Sequence, residues 1–479
     1  MERLGRFFSR ISQRYLPDPL VLAVLLTLVV MVVAWAAPQS EPIRGTGALG
    51  RLTGVTGLWI QGIASTGFLA FALQMCLILL TGYGLAKAPV ATRVLDGLAG
   101  AARTNRGAVF LVALVSCVAC WINWGFGLIV SGLLAGQIRT RFARSRIRCQ
   151  YPLIVASAYM GMMIWHGGLS GSAPLKVADG IDIERQVDGV SSTVRVEGIT
   201  INRTILSPTN LVLTAVLFIG IPLVVRSMAG GPDSADMPVL DDESTRAPPR
   251  RLEEVGGSAV ERTPAEVLNR AGWLRALVVA VALVALLARV HEKQWGAVDL
   301  TFVNLLFLTL GLMLHRDIVS YMAAVAEGGR AIAGIVIQFP LYAGIQSIMA
   351  GAGLAAAVSH VFVNLSHWGT EVLGIEAGAT FPAATFFSAA LVNLFVPSGG
   401  GQWIVQGPIM CSAADQLQLS LGQTVMAVAY GDQLTNMIQP FWAIPLMGLT
   451  RVNARQFMGY CALLMLLAVP VFIAALLCF

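Results

Sequence analysis

A chain of 479 residues that is 56% hydrophobic and only 12% charged, with a mean hydropathy of +0.73, carries far more apolar surface than a soluble core of that size can use. Its net charge of +6 comes from basic residues gathered in short clusters between apolar runs, a distribution that membrane topology explains, so no nucleic-acid partner is expected. Runs of about twenty apolar residues recur along its length, which predicts a polytopic all-α membrane protein.

An Arg-rich amphipathic start at 1–18 leads into the first span, 19–37, which lacks a small-residue cleavage site and so reads as a retained helix. Further crossing helices are predicted at 58–86, 152–177, 205–225, 273–289, 297–314, 331–357, 423–449 and 456–477. Two uncharged stretches, Gly107–Ile138 and Ala377–Ala414, are long for one helix and short for two, with polar or Gly/Pro-rich middles; a re-entrant helical hairpin fits both. Arg103, Arg106, Arg139, Arg141, Arg144, Arg146 and Arg148 flank the first stretch, whereas no Lys or Arg lies between 358 and 422. By the positive-inside rule the first hairpin opens to the cytoplasm and the second outward. About nine crossings plus two hairpins then put the N-terminus inside and the C-terminus outside. Residues 226–272 read as a charged cytoplasmic linker, and alternation in Val194–Ile201 suggests a small β-hairpin in the outer loop 179–204.

One phrase occurs twice. Ala156-Ser-Ala-Tyr159 is followed fifteen residues on by Pro174, and Ala427-Val-Ala-Tyr430 fifteen residues on by Pro445; Asn123 and Asn393 lie at matching places upstream. Two repeats follow, 19–225 and 297–479, each reading helix, helix, hairpin, interrupted helix, helix. The connecting helix within 273–296 makes the second repeat inverted relative to the first. Inverted repeats with broken helices are a secondary-transporter architecture.

Four polar segments are then buried in hydrocarbon: Asn123-Trp-Gly-Phe-Gly127 and Pro397-Ser-Gly-Gly-Gly-Gln402 at the hairpin tips, and Trp165-His-Gly-Gly-Leu-Ser-Gly-Ser172 and Asp432-Gln-Leu-Thr-Asn-Met-Ile-Gln-Pro440 in the interrupted helices. Broken helices expose backbone groups that lipid cannot satisfy, so such backbone must line a cavity or meet a ligand. Helix N-termini there suit a carboxylate, and helix C-termini and free carbonyls suit Na+ or a proton carrier. The candidate substrate-binding residues are Asn123, Trp124, Gly125, His166, Ser170, Ser172, Asn393, Ser398, Gly399, Gly400, Gly401, Thr435 and Asn436. The candidate coupling-ion or proton residues are Asp432, His166 and Gln439, since a carboxylate inside a span costs roughly 2.5–3.5 kcal/mol and calls for a reason. Against these stand plainer readings: close packing for Gly125 and Gly127, and interhelical glue for Thr435, Asn436 and Gln439. Lys176, near an outer helix end, can snorkel and is left out of the site. His291, His315, His360 and His367 are expected in loops or near span ends, in water. No Lys or Arg lies within the four segments, which favours a substrate with a single carboxylate. Cys117-x-x-Cys120 lacks a second pair or a nearby histidine, so no metal is expected there.

At Asn123–Gly132, Trp165–Pro174, Phe386–Trp403 and Ala429–Pro440 the sequence resembles the bacterial short-chain fatty acid transporter family, and the likeness runs from Tyr15-Leu-Pro-Asp-Pro19 to the last helix. The resemblance implies uptake of small monocarboxylates such as butyrate or acetoacetate across the cytoplasmic membrane, by H+ or Na+ symport, with no cofactor beyond the coupling ion. It also implies kinship with the larger ion-transporter superfamily. Membrane lipid is the expected surround, and a homodimer is open to it. A dicarboxylate carrier or a cation/proton antiporter on the same fold is the alternative. A channel and a serine hydrolase built on Gly168-Leu-Ser-Gly171 with His166 are further readings; the hydrolase fits poorly with a pseudo-symmetric site.

Overall fold

A computed structural model describes residues 1–37, 39, 40, 43, 47–178, 180–187, 190–197, 199–231, 263–269, 271–293 and 299–478; most of the expected charged linker lies outside the described residues. The first half comprises α1 (Glu2–Tyr15), α2 (Pro19–Ala36), α3 (Ala48–Ile63), α4 (Thr66–Ala86), α5 (Pro89–Ala101), α6 (Asn105–Ile122), α7 (Trp124–Arg144), α8 (Tyr151–Tyr159), α9 (Ser172–Ala178), the strands β1 (Ile181–Val187) and β2 (Val190–Val196), and α10 (Pro208–Met228). After α11 (Pro264–Asn269) and α12 (Gly272–Lys293) come α13 (Leu300–Leu314), α14 (Ile318–Gly328), α15 (Ala333–Gly351), α16 (Leu354–Leu373), α17 (Ala377–Asn393), α18 (Gly399–Gln416), α19 (Leu421–Thr435), α20 (Pro440–Thr450) and α21 (Ala454–Leu477). Among the described residues eight helical segments are long and apolar enough to cross a bilayer.

Polar caps set many of the boundaries. The side chains of Asp18, Thr104, Asn123, Ser207, Ser398 and Ser420 each accept a backbone N–H in the first turn of the helix that follows, and Asp317 and Asn453 form capping boxes. Caps correct two of the sequence-predicted spans. The span expected at 58–86 is two helices, because Ser65 accepts the Phe68 N–H and starts α4 afresh. The span expected at 331–357 ends near Gly351, where Gly353 takes a left-handed φ of +75° before α16 begins. Consequently His360 and His367 lie on a helix, not in a loop. The two uncharged stretches each hold two helices, since the arms run beyond the uncharged residues: α6 and α7 have 18 and 21 residues, and α17 and α18 have 17 and 18. The loop 179–204 does form a β-hairpin, but β1 supplies its first strand and Val187 pairs with Val190, so the Val194–Ile201 alternation covers only part of it.

The interrupted segment Tyr151–Ala178 is almost wholly buried by protein, whereas α12 presents Val281, Val284 and Leu287 outward at 63%, 66% and 69% exposure. A helix this apolar on its outer face belongs against lipid, and α12 is peripheral. His315, expected in water, is buried beneath Tyr321, with its ring centroid 5.5 Å from that of the tyrosine. Burial, the largest influence, holds its imidazole below the ordinary histidine value, with Asp317 pulling upward and Arg275 downward.

At the centre, backbone meets backbone. A Cβ on Gly161 would lie 2.3 Å from the Ser116 carbonyl oxygen of α6, and one on Gly431 would lie 2.2 Å from the Phe386 carbonyl oxygen of α17. Only glycine permits these approaches. Gly161→Ala and Gly431→Ala are each expected to destabilise the protein by about 1–3 kcal/mol through overpacking. Gly136→Ala, on α7 with nothing within 4 Å of its Cβ, should leave the thermal unfolding midpoint in detergent unchanged.

Candidate functional site

Two helix breaks face each other at the core. In the first, α8 ends at Tyr159 and single 3-10 turns at Met160–Met163 and Trp165–Gly167 lead to α9. In the second, α19 ends at Thr435 and the Asn436–Ile438 turn leads to Pro440 at the start of α20. Glycine in the first and proline in the second stop the helical ladder, which leaves peptide groups to be satisfied by side chains.

Those side chains come largely from the other half. Gln433 Oε1 accepts the backbone N–H groups of His166 (3.0 Å) and Gly167 (3.3 Å). The Tyr159 hydroxyl lies 2.6 Å from the Asn436 carbonyl oxygen and 3.1 Å from that of Gln439. The Tyr430 hydroxyl donates to Asn210 Oδ1 at 2.9 Å, and the Asn210 amide donates in turn to the Gly167 carbonyl at 2.9 Å. The two tyrosines of the repeated phrase thus brace the two breaks against each other.

His166 links the breaks chemically. Its Nε2 accepts the Ala173 N–H at 3.0 Å, leaving Nδ1 to carry the ring proton toward Asp432 Oδ1, also at 3.0 Å. Both side chains are buried, at 0% and 1% exposure. Asn393, the last residue of α17, turns its amide nitrogen toward the Asp432 carbonyl (2.7 Å), Thr435 Oγ1 (3.0 Å) and Asn436 Oδ1 (2.8 Å), while the Gln439 amide donates to the Asn393 carbonyl. Three buried oxygens of this cluster have no hydrogen-bond partner among the described residues: Asp432 Oδ2, Asn393 Oδ1 and Gln439 Oε1. Acceptors left over in a buried site are the groups a cation takes.

Beside them stands an aromatic wall. The Trp165 ring stacks on His166 with centroids 4.3 Å apart, and Trp124 lies 4.8 Å from Trp442 and 6.2 Å from Trp165. Phe71 and Phe441 continue it, at 6.3 Å and 5.0 Å from Trp442, with Phe339 stacked 4.2 Å from Phe441. The indole N–H groups of Trp165 and Trp442 are buried and have no acceptor among the described residues. Donors are left over on this wall, and acceptors in the Asp432 cluster.

The start of α18 closes on both. A Cβ on Gly399 would lie 2.7 Å from His166 Cε1 and 3.0 Å from the Trp165 ring, and one on Gly401 would lie 2.1 Å from Gln346 Nε2. Ser398 Oγ is occupied as the N-cap, accepting the Gly401 N–H at 3.2 Å. Lys176, left outside the site by its position near a helix end, instead folds back: its Nζ donates to the Gly400 carbonyl at 3.1 Å. One cation therefore stands at the tip, and Ser172 lies beside the same glycine, its Cβ 3.9 Å from a Cβ built on Gly400.

Of the sequence-predicted residues, His166, Asp432, Asn393, Thr435, Asn436, Gln439, Trp124, Gly399, Gly400 and Gly401 come together as described. Asn123 caps α7 by accepting the Phe126 N–H at 3.0 Å, and Ser170 Oγ accepts the Trp124 N–H at 3.2 Å, so the serine hydroxyl holds the start of α7. Gly125 is not brought to the cluster; a Cβ there would lie 2.8 Å from Ile78 Cδ1 and 3.3 Å from Leu300 Cδ2, the contacts of a packing glycine. Sequence reading passed over Trp442, Gln433, Tyr159, Tyr430, Asn210 and Lys176 as functional residues. The tyrosines were signalled by the repeated phrase and Gln433 by its place beside Asp432; nothing in the sequence marks Phe71 or Asn210 out from neighbouring apolar helix.

The whole chain, residues 1–479, matches the model of the short chain fatty acid transporter family. It is 36% identical over 478 residues to a protein of Escherichia coli (strain K12) named for short-chain fatty acid transport, covering 99% of each chain. It is 34% identical over 483 residues to one so named from Haemophilus influenzae, again over 99% of both. Among solved structures it is similar to the Alcanivorax borkumensis YdaH transporter, at 17% identity and a TM-score of 0.40 over 96% of this chain and 97% of that one. It is also similar to Neisseria gonorrhoeae MtrF, of a class of antimetabolite efflux pumps, at 16% identity and a TM-score of 0.42 over 98% and 96%. By its full-length match and its relatives the chain belongs to the short-chain fatty acid transporter family and, with several helices long and apolar enough to cross a bilayer, is a multi-pass protein of the bacterial inner membrane.

Proposed function

We propose that this transporter carries small monocarboxylates, of the size of butyrate or acetoacetate, together with a coupling Na+ or H+, by alternating access. The observation that carries the reading is the pairing of unsatisfied groups across His166: two indole donors on an apolar aromatic wall, and three oxygen acceptors around Asp432. A carboxylate with a short aliphatic tail answers the first set, since its oxygens take the Trp165 and Trp442 N–H groups while the tail lies on Phe71, Trp124 and Phe441. A cation answers the second. Lys176 beside Gly400 supplies one positive charge, matched to one carboxylate rather than two.

Two inverted repeats, 19–225 and 297–479, with re-entrant tips and a cytoplasmic N-terminus, belong to the same proposal. The pairing of Gly161 with the Ser116 carbonyl and of Gly431 with the Phe386 carbonyl supports it, because both members of the second pair stand the same distance along the chain from those of the first. So does the run of a short helix, two helices, a hairpin and a broken helix in both halves, from α3 to α9 and from α14 to α20. The connecting α12 gives the inversion. Midplane sites between inverted repeats bind substrate and ion together.

In the coupling step Asp432 is the ion carrier, and Gln439 and Asn393 complete its oxygen set. His166 can take a second proton only by giving up the Ala173 amide, which makes it the positioning partner of Asp432 in Na+ coupling and a relay in H+ coupling. A monocarboxylate entering with one cation is electroneutral; a second cation adds about 2.3 kcal/mol of driving force per 100 mV.

Proteoliposomes given labelled butyrate or acetoacetate are expected to accumulate it under an imposed Na+ or pH gradient, and the gradient that works names the ion. Competition by C4-dicarboxylates, or no uptake under either gradient, would move the substrate to another anion. Asp432→Asn is expected to keep substrate exchange and lose gradient-driven accumulation; accumulation at the wild-type level would remove Asp432 from coupling. Trp165→Phe and Trp442→Phe each keep the aromatic wall and delete one donor to a charged oxygen, worth about 1.5–3 kcal/mol. Each should raise the apparent KM for butyrate roughly tenfold or more by the same measure, and an unchanged KM would take that indole out of carboxylate binding.

A further inference from the structure

A second concavity lies far from the breaks, where α6 begins and α10 ends. Its volume is about 550 Å³, and it is lined by Arg103, Thr104, Arg106, Arg146, Arg148 and Arg226 around a floor at Asn105 and Gly230. These arginines come from three separate stretches of chain: the lead into α6, the connection between α7 and α8, and the last turn of α10. The positive-inside rule explains basic loops, but it does not explain why three of them converge on one hollow. Convergence of five guanidinium groups raises their mutual repulsion unless an anion lies among them.

The neighbouring concavity, of about 610 Å³, shows the contrast. Its Lys87, Arg141 and Arg144 share the lining with Asp96, and Lys87 pairs with Glu327 at 2.8 Å. Among the described residues no carboxylate lines the arginine hollow and none of its five arginines is in an ion pair. Arg106 Nε donates to the Ala229 carbonyl at 3.2 Å, and Arg226 lies 6.0 Å from the Phe110 ring centroid, contacts that aim two of the side chains and leave most of their N–H groups unused.

The floor is preset. Gln150 Oε1 accepts the Asn105 amide (3.3 Å) and the Gly230 N–H (2.9 Å), and the Gln150 N–H donates to Asn105 Oδ1 at 3.0 Å, so the three stretches are fastened together beneath the arginines without consuming them. Asn105 and Gln150 are each 6% exposed. α6 also points its N-terminus into the hollow, adding partial positive charge to the five full ones. Both α6 and α10 are apolar spans, so the hollow sits where hydrocarbon gives way to the headgroup layer.

We propose that this hollow is a binding site for a phosphate-bearing anion, and that at this depth its occupant is the headgroup of an anionic phospholipid. Arginine forks match phosphate oxygens in pairs, and a lipid phosphate arrives already at the level of the helix ends. The site is independent of the substrate site and would tie transporter stability to the anionic lipid content of the membrane.

The test uses the full-length protein in mild detergent, with the thermal unfolding midpoint as readout and phosphatidylglycerol, phosphatidylcholine and inorganic pyrophosphate as probes. Phosphatidylglycerol is expected to raise the midpoint by several degrees and phosphatidylcholine not to. Arg103→Gln/Arg148→Gln, which alters neither arginine held by Ala229 or Phe110, should shift the phosphatidylglycerol titration to on the order of tenfold higher concentration. Arg141→Gln/Arg144→Gln, in the neighbouring hollow, should leave it in place. Equal stabilisation by phosphatidylcholine, or an unshifted titration in the Arg103/Arg148 variant, would overturn the proposal. Pyrophosphate that stabilises alone and displaces the lipid would keep the phosphate chemistry and overturn the lipid as its source. Should the double variant not fold, native mass spectrometry of the wild-type protein decides, since retained phosphatidylglycerol that pyrophosphate does not strip is the expected result and retention of no anionic lipid overturns it.

Discussion

The structure depends on the satisfaction of broken backbone inside a membrane. An α-helix carries its own hydrogen bonds through hydrocarbon, and a break forfeits several of them where water cannot step in. Here each break is repaired by the opposite half of the chain. Gln433 of the second half takes the N–H groups of His166 and Gly167, and Tyr159 of the first half takes the carbonyls of Asn436 and Gln439. Beside these backbone contacts, the buried side-chain atoms with no partner among the described residues include Asp432 Oδ2, Asn393 Oδ1, Gln439 Oε1 and the indole nitrogens of Trp165 and Trp442.

Distant parts of the chain are also fastened together outside the core. The β-hairpin that follows α9 is fastened to α18 by a bidentate contact, Arg185 Nε and Nη2 to Asp415 at 2.8 Å and 2.6 Å, and by the Ser412 hydroxyl on the Glu184 carbonyl. Lys176 of α9 holds the Gly400 carbonyl at the other end of α18. α18 is therefore attached to α9 at one end and to the β-hairpin at the other, so that α9, the β-hairpin and α18 form one structural group in spite of their distance in sequence.

Much of this was legible in the residues, and the illegible part has a physical reason. Composition and apolar length gave the membrane class, and glycine and proline inside apolar runs located both breaks, because few other residues interrupt a span. Asp432 and His166 were visible because a titratable group in hydrocarbon stands out by its cost. What could not be read was direction. Lys176 looked like a snorkelling residue because sequence gives its distance from a helix end and not the rotamer that turns it to Gly400. The phenylalanines of the aromatic wall escaped for the opposite reason: Phe71, Phe339 and Phe441 are ordinary residues in apolar helices, and only their meeting from three parts of the chain makes them a surface. The short helices α5 and α14 were missed because their composition differs little from that of the loops beside them.

The cross-bracing of the two breaks bears on how the protein is made. A ribosome delivers the first half to the membrane while Gln433 and Asn436 are still unsynthesised, so the amides of His166 and Gly167 and the hydroxyl of Tyr159 enter the bilayer before their partners exist. Until α19 inserts, the first broken helix must stay near water or near the insertion machinery, because hydrocarbon offers its open peptide groups nothing. The core of this transporter is therefore assembled last, on arrival of its final quarter, and a chain truncated before residue 433 would present cellular quality control with a membrane segment that cannot close.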